Sequence, residues 1–574
     1  MKGNAFARIL VPAAGVIAAM WASVLLAQAP PVAPQAQGLP LEKMRQYIAG
    51  GVAALVAAQG ADGSWSYGER GEYNVGMTAL CTLALRHSGR TEAIVPAQKG
   101  LAYVAQHAPE PRTYTAGLVE ALLYEAGGKS YETQMGTYAE MVIRSRIEEN
   151  PLNPHMWGYG LVAPPKPGPN GPGAWGKVDH DSRGDNSNMQ YAILALYFAQ
   201  KAGFQVPVET WRRIKEHYET TQREDGAWCY LHPVYLKTVP NPEQRWDFCM
   251  TCVGSVSLYL ADEALAAQGH GQCKMTPDNP KVMKGMEWAG QHMRTNGDGY
   301  GWYACERLGI LSGRGEFAGK DWLEAGANAI LRDPNSPHSG NQLANVAFQV
   351  LFLARALEPV RVNKLQRDGD WNNDPYDAKH LTEFITEKYQ NPTQWRIVTL
   401  EAPVEYLLRV PILYLSGHEA LKFTDAEKAR LKEYVDRGGT IFAMACCGKA
   451  AFDKSFRDLC AELWPDLKLL EVAKNHPLFE YPKRSPAPPV ILGMALAAGQ
   501  GRLGVIYSPY DFCCRWHMGG KKAEPAYAFG VNLIYYVDLV ASRQGAVIAG
   551  HGTVHTGVEA PAPATPVVEP QPVP

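Results

Sequence analysis

Between residues 41 and 358 a charged, amphipathic segment is followed six times by a short segment that is apolar almost all round. No other feature constrains the fold as much, because a helix without a polar face has to be enclosed by other helices. The charged segments fall at 41–59, 91–107, 131–149, 208–222, 280–294 and 320–332. In VETWRRIKEHYETTQ, for example, Trp211, Ile214 and Tyr218 share one face. The apolar segments fall at 74–87, 113–126, 187–202, 249–265, 301–311 and 341–356, and are rich in Ala, Gly and Ser, which permits close packing. The most apolar stretch, GDNSNMQYAILALYFA at 184–199, opens on Asp185, Asn186, Ser187 and Asn188, all good helix caps. Self-similar helical hairpins of this kind form repeat architectures, in which each unit buries its face on its neighbours.

The links repeat as well. Gln59-Gly-Ala-Asp-Gly-Ser-Trp65 and Gln222-Arg-Glu-Asp-Gly-Ala-Trp228 share one pattern, and 297–302 and 366–371 are looser copies. Asp-Gly makes the tight turn, Gln ends the outer helix, and Trp packs beneath the next. These residues resemble the QW-type repeats of squalene and terpenoid cyclases and of protein prenyltransferase β subunits. The resemblance implies an all-α α6/α6 toroid over 41–358, whose apolar helices line a central cavity. The Pro- and Gly-rich insertion at 151–185 reads as a loop at one mouth. Its Trp157 and Trp175 would suit stacking on a sugar or isoprenoid. Its Asp179, His180 and Asp181 fit either a cation or, more simply, a solvated loop.

After residue 358 the period changes. Short strands are expected at 395–400, 410–415, 440–444, 467–472 and 502–507, with helices between several of them. Thr424-Asp-Ala-Glu427 forms a capping box, and Gly438-Gly439 closes the helix it opens. Strands alternating with helices imply a mostly parallel, doubly wound α/β sheet. LQRDGDWNNDP, DRGGTIF, Ala445-Cys-Cys-Gly448, Asn475-His-Pro-Leu-Phe479 and GRLGVIYSPYDFCCRW together resemble an uncharacterised bacterial domain of unknown function. That resemblance, over 362–540, implies a class I glutamine-amidotransferase-like, flavodoxin-like fold in exported bacterial proteins, often behind the same toroid repeats. The α/β domain is accordingly assigned to 359–544.

The ends of the chain are of another kind. Lys2 and Arg8 precede an apolar run at 9–26 and a small-residue site, Ala27-Gln28-Ala29. Residues 1–29 read as a signal peptide, 30–40 as a Pro/Ala/Gln linker, and 545–574 as a disordered Pro/Ala/Val-rich tail. Export to the periplasm or the exterior is expected. A net charge of −2 gives no reason to expect nucleic acid or an anionic membrane as a partner. The 11 cysteines are an odd number and lie mostly in apolar runs, so they do not read as a disulfide framework.

The candidate chemistry is incomplete. A class II cyclase places its acid in a DxDDTA motif at the start of an inner helix. Asp185 aligns with the first Asp, but Ser187 and Asn188 replace the next two, and neither can supply a strong acid. A prenyltransferase holds zinc with an Asp-x-Cys pair and a later His. Asp247 and Cys249 supply the pair, but the next inner segment opens without a His. In an amidotransferase elbow, GxCxG, Cys446 would be the nucleophile. Met444 stands at the first Gly, and Leu478 stands where His476-Pro477 would be followed by Glu. Cys447 beside it is expected to come within reach of Cys513 or Cys514 across the sheet edge. His418 and Asp511 follow expected strands, at the carboxyl edge where α/β sheets bind ligands. No cofactor is implied. The pattern favours an exported, non-catalytic binding or scaffolding protein, with a small-molecule, lipid-like or glycan ligand and a protein partner both compatible. The alternative is an enzyme acting on an isoprenoid-like or glycan substrate in the toroid cavity.

Overall fold

The computed structural model describes residues 39–543, apart from 68–70, 149, 151–154, 169–170, 179–182, 239, 241–245, 268–277, 337–340, 486–488 and 497–501. The expected signal, the terminal tail and the Asp179–Asp181 candidate lie outside the described residues. The chain divides into two compact units, Met1–Pro40 and Leu41–Pro574, and every element below belongs to the second.

Among the described residues, twelve long helices occupy the stretch from Leu41 to Ala356. The odd-numbered ones are α1 (Leu41–Ala57), α3 (Ile94–Gln106), α5 (Glu132–Arg144), α7 (Val208–Thr221), α9 (Pro280–Gln291) and α11 (Trp322–Arg332). The even-numbered ones are α2 (Asn74–His87), α4 (Thr113–Glu125), α6 (Asn186–Lys201), α8 (Phe248–Ala266), α10 (Gly299–Ser312) and α12 (Gln342–Ala356). Each even helix packs on the next, and α12 returns to α2, so the six close a ring. The odd helices lie outside it: α1 against α12, α3 against α2, α5 against α6, and both α7 and α9 against α8. Burial follows the sequence pattern. α6 is buried at every position from Asn186 to Tyr197, whereas α7 buries only a stripe that includes Trp211, Ile214 and Tyr218. Small residues set the spacing. A Cβ on Gly117 of α4 would lie 2.6 Å from the Tyr191 carbonyl of α6.

The two full Gln-x-x-Asp-Gly-x-Trp links form the same clamp. Gln59 Nε2 donates to Gly63 O (3.0 Å) and to Pro96 O (2.9 Å) of α3. Gln222 Nε2 donates to Gly226 O (3.0 Å) and to Lys281 O (2.8 Å) of α9. The indoles of Trp65 and Trp228 donate to Leu55 O (2.8 Å) and Tyr218 O (3.0 Å) of the helix just finished. Both rings are fully buried. Gly63 and Gly226 sit at φ of +88° and +108°, a region that only glycine enters without strain. The stretch at 366–371 departs from expectation: it follows a strand of the second region and joins no helical pair.

That second region is built on a seven-stranded mixed sheet. Its strands are β1 (Val360–Leu365), β2 (Gln394–Val398), β3 (Ile412–Gly417), β4 (Thr440–Ala445), β5 (Leu470–Glu471), β6 (Leu492–Ala495) and β7 (Leu503–Ser508). The order is β2-β1-β3-β4-β7-β6-β5, parallel as far as β7 and antiparallel at β6 and β5. Helices α13 (Asp377–Tyr389), α16 (Cys513–Met518) and α17 (Glu524–Arg543) cover one face. Helices α14 (Asp425–Asp436) and α15 (Ala450–Leu463) cover the other. β1 was not expected, because VRVNKL carries Arg, Asn and Lys. Inside the sheet Asn363 is satisfied by Arg396 and Leu407 O, and Lys364 by Asp377. The expected strand at 467–472 contracts to the two residues of β5, both exposed at the sheet margin.

Candidate functional site

Two cavities lie at opposite ends of the six ring helices. The first, of about 400 Å³, opens at their N-termini. Tyr67, Tyr73, Tyr114, Tyr159, Tyr230, Tyr300 and Phe348 give its wall an aromatic character, and Met77, Leu80, Leu118 and Ala344 add aliphatic surface between them. Several of these residues come from the same place in the repeat. Tyr73 precedes α2, Tyr114 is the second residue of α4, and Tyr300 is the second residue of α10. The phenols are linked by hydrogen bonds. Ser187 Oγ, in the first turn of α6, bonds the Tyr114 hydroxyl (2.5 Å) and that of Tyr300. Gln190 Nε2 donates to the Tyr300 hydroxyl (2.6 Å), and Arg307 bonds the other end of the same amide. At the rim the Tyr159 and Tyr230 hydroxyls meet at 2.7 Å. Burial pushes the Tyr300 phenol well above its ordinary value, so it stays neutral and can both donate and accept. Among the described residues lining this cavity none is Asp, Glu, Lys or Arg.

The second cavity, of about 300 Å³, lies at the C-terminal ends of the ring helices and is closed by α13 and β2. Its polar groups pair with one another. His87 lies between Glu125 (3.0 Å) and Glu358 (2.9 Å), Lys201 reaches Glu383 (3.0 Å), and Arg355 reaches Glu306 (3.1 Å). Burial opposes charging of His87, but the two carboxylates outweigh it and raise its pKa to about 9. Burial raises Glu306 to about 7 against the pull of Arg355.

The candidates expected around the helical region take structural positions. Asp185 caps α6, accepting from the backbone N–H (2.8 Å) and the side-chain amide (2.9 Å) of Asn188. Burial nonetheless raises its pKa. Of the four polar residues that open α6, only Ser187 lines the tyrosine cavity. Trp157 corrects the expectation of a stacking surface: its ring is 0 % exposed and its indole donates to Val142 O at 2.7 Å. Trp175 is half-buried, with the Arg144 guanidinium over its ring at 5.0 Å. Asp247 caps α8, accepting from Met250 N (3.0 Å), and lies 3.4 Å from Arg294. Cys249 is fully buried, and burial pushes its thiol well above the ordinary value.

The carboxyl edge of the sheet gathers the remaining three candidates. After β1, the Asp370 carboxylate accepts from the backbone N–H of His418 and of Glu419 (2.7 Å), which follow β3. Burial works against ionisation there, yet these bonds hold Asp370 below the usual carboxylate range. The His418 ring lies 3.6 Å from the same carboxylate. After β4, Cys446 is 0 % exposed and its thiol donates to Asp374 at 3.3 Å. A carboxylate neighbour disfavours the thiolate, so this contact does not activate a nucleophile. After β7, Asp511 accepts from the Cys513 thiol and the Cys514 backbone N–H, both at 3.1 Å.

Residues 359–537 match the model of a family described only as a domain of unknown function, DUF4159. No curated protein matches the chain. The helix-rich N-terminal region resembles solved structures of MstE, a type II terpene cyclase from Scytonema. One variant holds geranylgeranyl dihydroxybenzoate and aligns at 15% identity, over 55% of this chain and 97% of that one, with a TM-score of 0.33. A second holds merosterolic acid A, with the same identity, share of this chain and TM-score, and 98% of that chain covered.

Proposed function

We propose that this chain is an exported binding protein that holds an uncharged, ring-bearing ligand, a short glycan, in the tyrosine-lined cavity. In this reading residues 41–358 are an α6/α6 toroid of the terpenoid cyclase type, and 359–544 are a flavodoxin-like, amidotransferase-like domain that closes its far end. The observation that carries the reading is the cavity wall: phenol rings joined by hydrogen-bonded hydroxyls, with no charged side chain among the described lining residues. Tyrosine offers an apolar face for a pyranose ring and a hydroxyl for its rim. Ser187, Asn345 and the linked phenols already have partners within the protein, and the acceptor positions left on their oxygens suit a hydroxyl-bearing ligand better than a wholly apolar isoprenoid. Titration calorimetry with a panel of short oligosaccharides tests the proposal. Binding that Tyr114→Ala abolishes supports it, whereas binding only of isoprenoid ligands, or turnover of any of them, transfers the cavity to the enzyme reading. Export is proposed from Lys2, Arg8 and the apolar run; the secreted chain should begin at Pro30, and full-length chain confined to the cytoplasm would contradict it.

A further inference from the structure

Two pairs of consecutive cysteines end up side by side. Cys446-Cys447 follow β4, and Cys513-Cys514 come five residues after the end of β7. β4 and β7 are parallel neighbours, with Met444 opposite Ser508, so both chains leave the sheet at one level. At the first exit the backbone turns through a left-handed residue, Cys447 at φ +52°. Non-glycine residues rarely adopt that region, and it marks a turn held by its surroundings. The turn leaves Cys446 buried and Cys447 exposed while both thiols still reach a common point. The sulfurs of Cys446, Cys447 and Cys514 and a carboxylate oxygen of Asp511 all lie within 4.8 Å of one another.

Those separations suit a metal ion better than a covalent bond. Four thiolates around zinc, at about 2.3 Å each, stand roughly 3.8 Å apart along the edges of the tetrahedron. Cys447 and Cys514 are 3.8 Å apart, sulfur to sulfur. A disulfide would need them at about 2.0 Å. Three soft sulfurs and one oxygen select thiophilic cations over magnesium or calcium. The surroundings already orient the donors. Asp511 accepts from the Cys514 backbone N–H, and Cys446 donates to Asp374. Asp374 and Cys513 form a second set with Cys446, so further donors stand behind the first.

We propose that Cys446, Cys447, Cys514 and Asp511 form a site for a thiophilic d10 cation, zinc(II) or copper(I). Each thiol that ligates gives its proton to solvent, so binding weakens as pH falls. One face of the site is open through Cys447, which permits loading and exchange after folding. Nothing in this site depends on the tyrosine cavity.

The full-length chain, stripped with chelator and kept reduced, is titrated with zinc against a chromophoric chelator and with copper(I) against a copper(I)-specific one. Cobalt(II) substitution reports thiolate ligation by its charge-transfer absorption. One equivalent of zinc or copper(I) is expected, and whichever binds more tightly identifies the cation. Cys447→Ser, an exposed change that leaves the core intact, should weaken binding by at least about tenfold and dim the cobalt band. Failure of the reduced chain to bind either metal overturns the proposal. So does full metal retention in the Cys447→Ser/Cys514→Ser double variant.

Discussion

Replacing Lys379 by Met tests whether the helical region and the sheet region share one buried charge cluster. Lys379 projects from α13, and its ammonium lies 2.8 Å from Glu263 of α8, 2.8 Å from the Tyr197 hydroxyl of α6 and 2.9 Å from Glu383. The side chains of Lys379 and Glu263 are 2% and 7% exposed. Burial opposes ionisation of Glu263, yet Lys379 and His380 outweigh it and hold the carboxyl below the usual range. Met keeps the length and apolar stem of Lys but removes the charge, which strands Glu263. Removing one partner of a buried pair costs about 3–5 kcal/mol. The lower end applies here, because His380 stays 2.9 Å from Glu263 and Lys201 stays 3.0 Å from Glu383. Urea unfolding followed by tryptophan fluorescence should therefore show a loss of about 3 kcal/mol, and Glu263→Gln in the same chain should restore part of it. A loss below about 1 kcal/mol, the worth of an exposed pair, would refute the reasoning by showing that water screens the cluster.

The clamp should behave alike at both links. Gln59→Ala and Gln222→Ala each remove two side-chain hydrogen bonds, an expected loss of about 1–3 kcal/mol in urea unfolding; a neutral result at either would break the equivalence. For His87 the folded pKa, about 9, lies above the free value of 6.5. Its contribution is therefore complete below pH 6.5 and lost as pH rises through 9, about 3 kcal/mol in all. Thermal melts should show the chain less stable at pH 9.5 than at pH 6.5, with a smaller difference in His87→Gln; an unchanged difference would contradict this. Iodoacetamide should label exposed Cys447 quickly and buried Cys446 slowly, as peptide mapping would read; equal rates would place Cys446 in solvent.

The helical pairs were legible because enclosure leaves a plain mark: a segment with no polar face. The clamp was legible for a related reason, since its Gln, Gly and Trp each do a job that few other residues can. The tyrosine cavity was not. A tyrosine near the start of an apolar helix looks like core, and only the register of the repeat, which puts Tyr114 and Tyr300 at the second position of their helices, would have separated them. Trp157 misled in the opposite direction. In a loop rich in Pro and Gly it read as a surface ring, whereas it packs inward as Trp65 and Trp228 do. β1 was hidden by the buried polarity of Asn363 and Lys364. At the sheet edge, the meeting of Cys447 with Cys514 followed from placing both pairs after strands. The contact of Cys446 with Asp374 joins residues 72 positions apart and had no local signal.

The most direct test of the central claim is titration calorimetry of short oligosaccharides on the full-length chain, repeated on Tyr114→Ala and Tyr300→Phe. Tyr114→Ala removes a cavity ring, and Tyr300→Phe removes only the hydroxyl that joins Ser187 to Gln190. The account predicts saturable binding, abolished by the first change and weakened by about 1–3 kcal/mol by the second. Binding that survives both changes, or no binding across the panel, would contradict it.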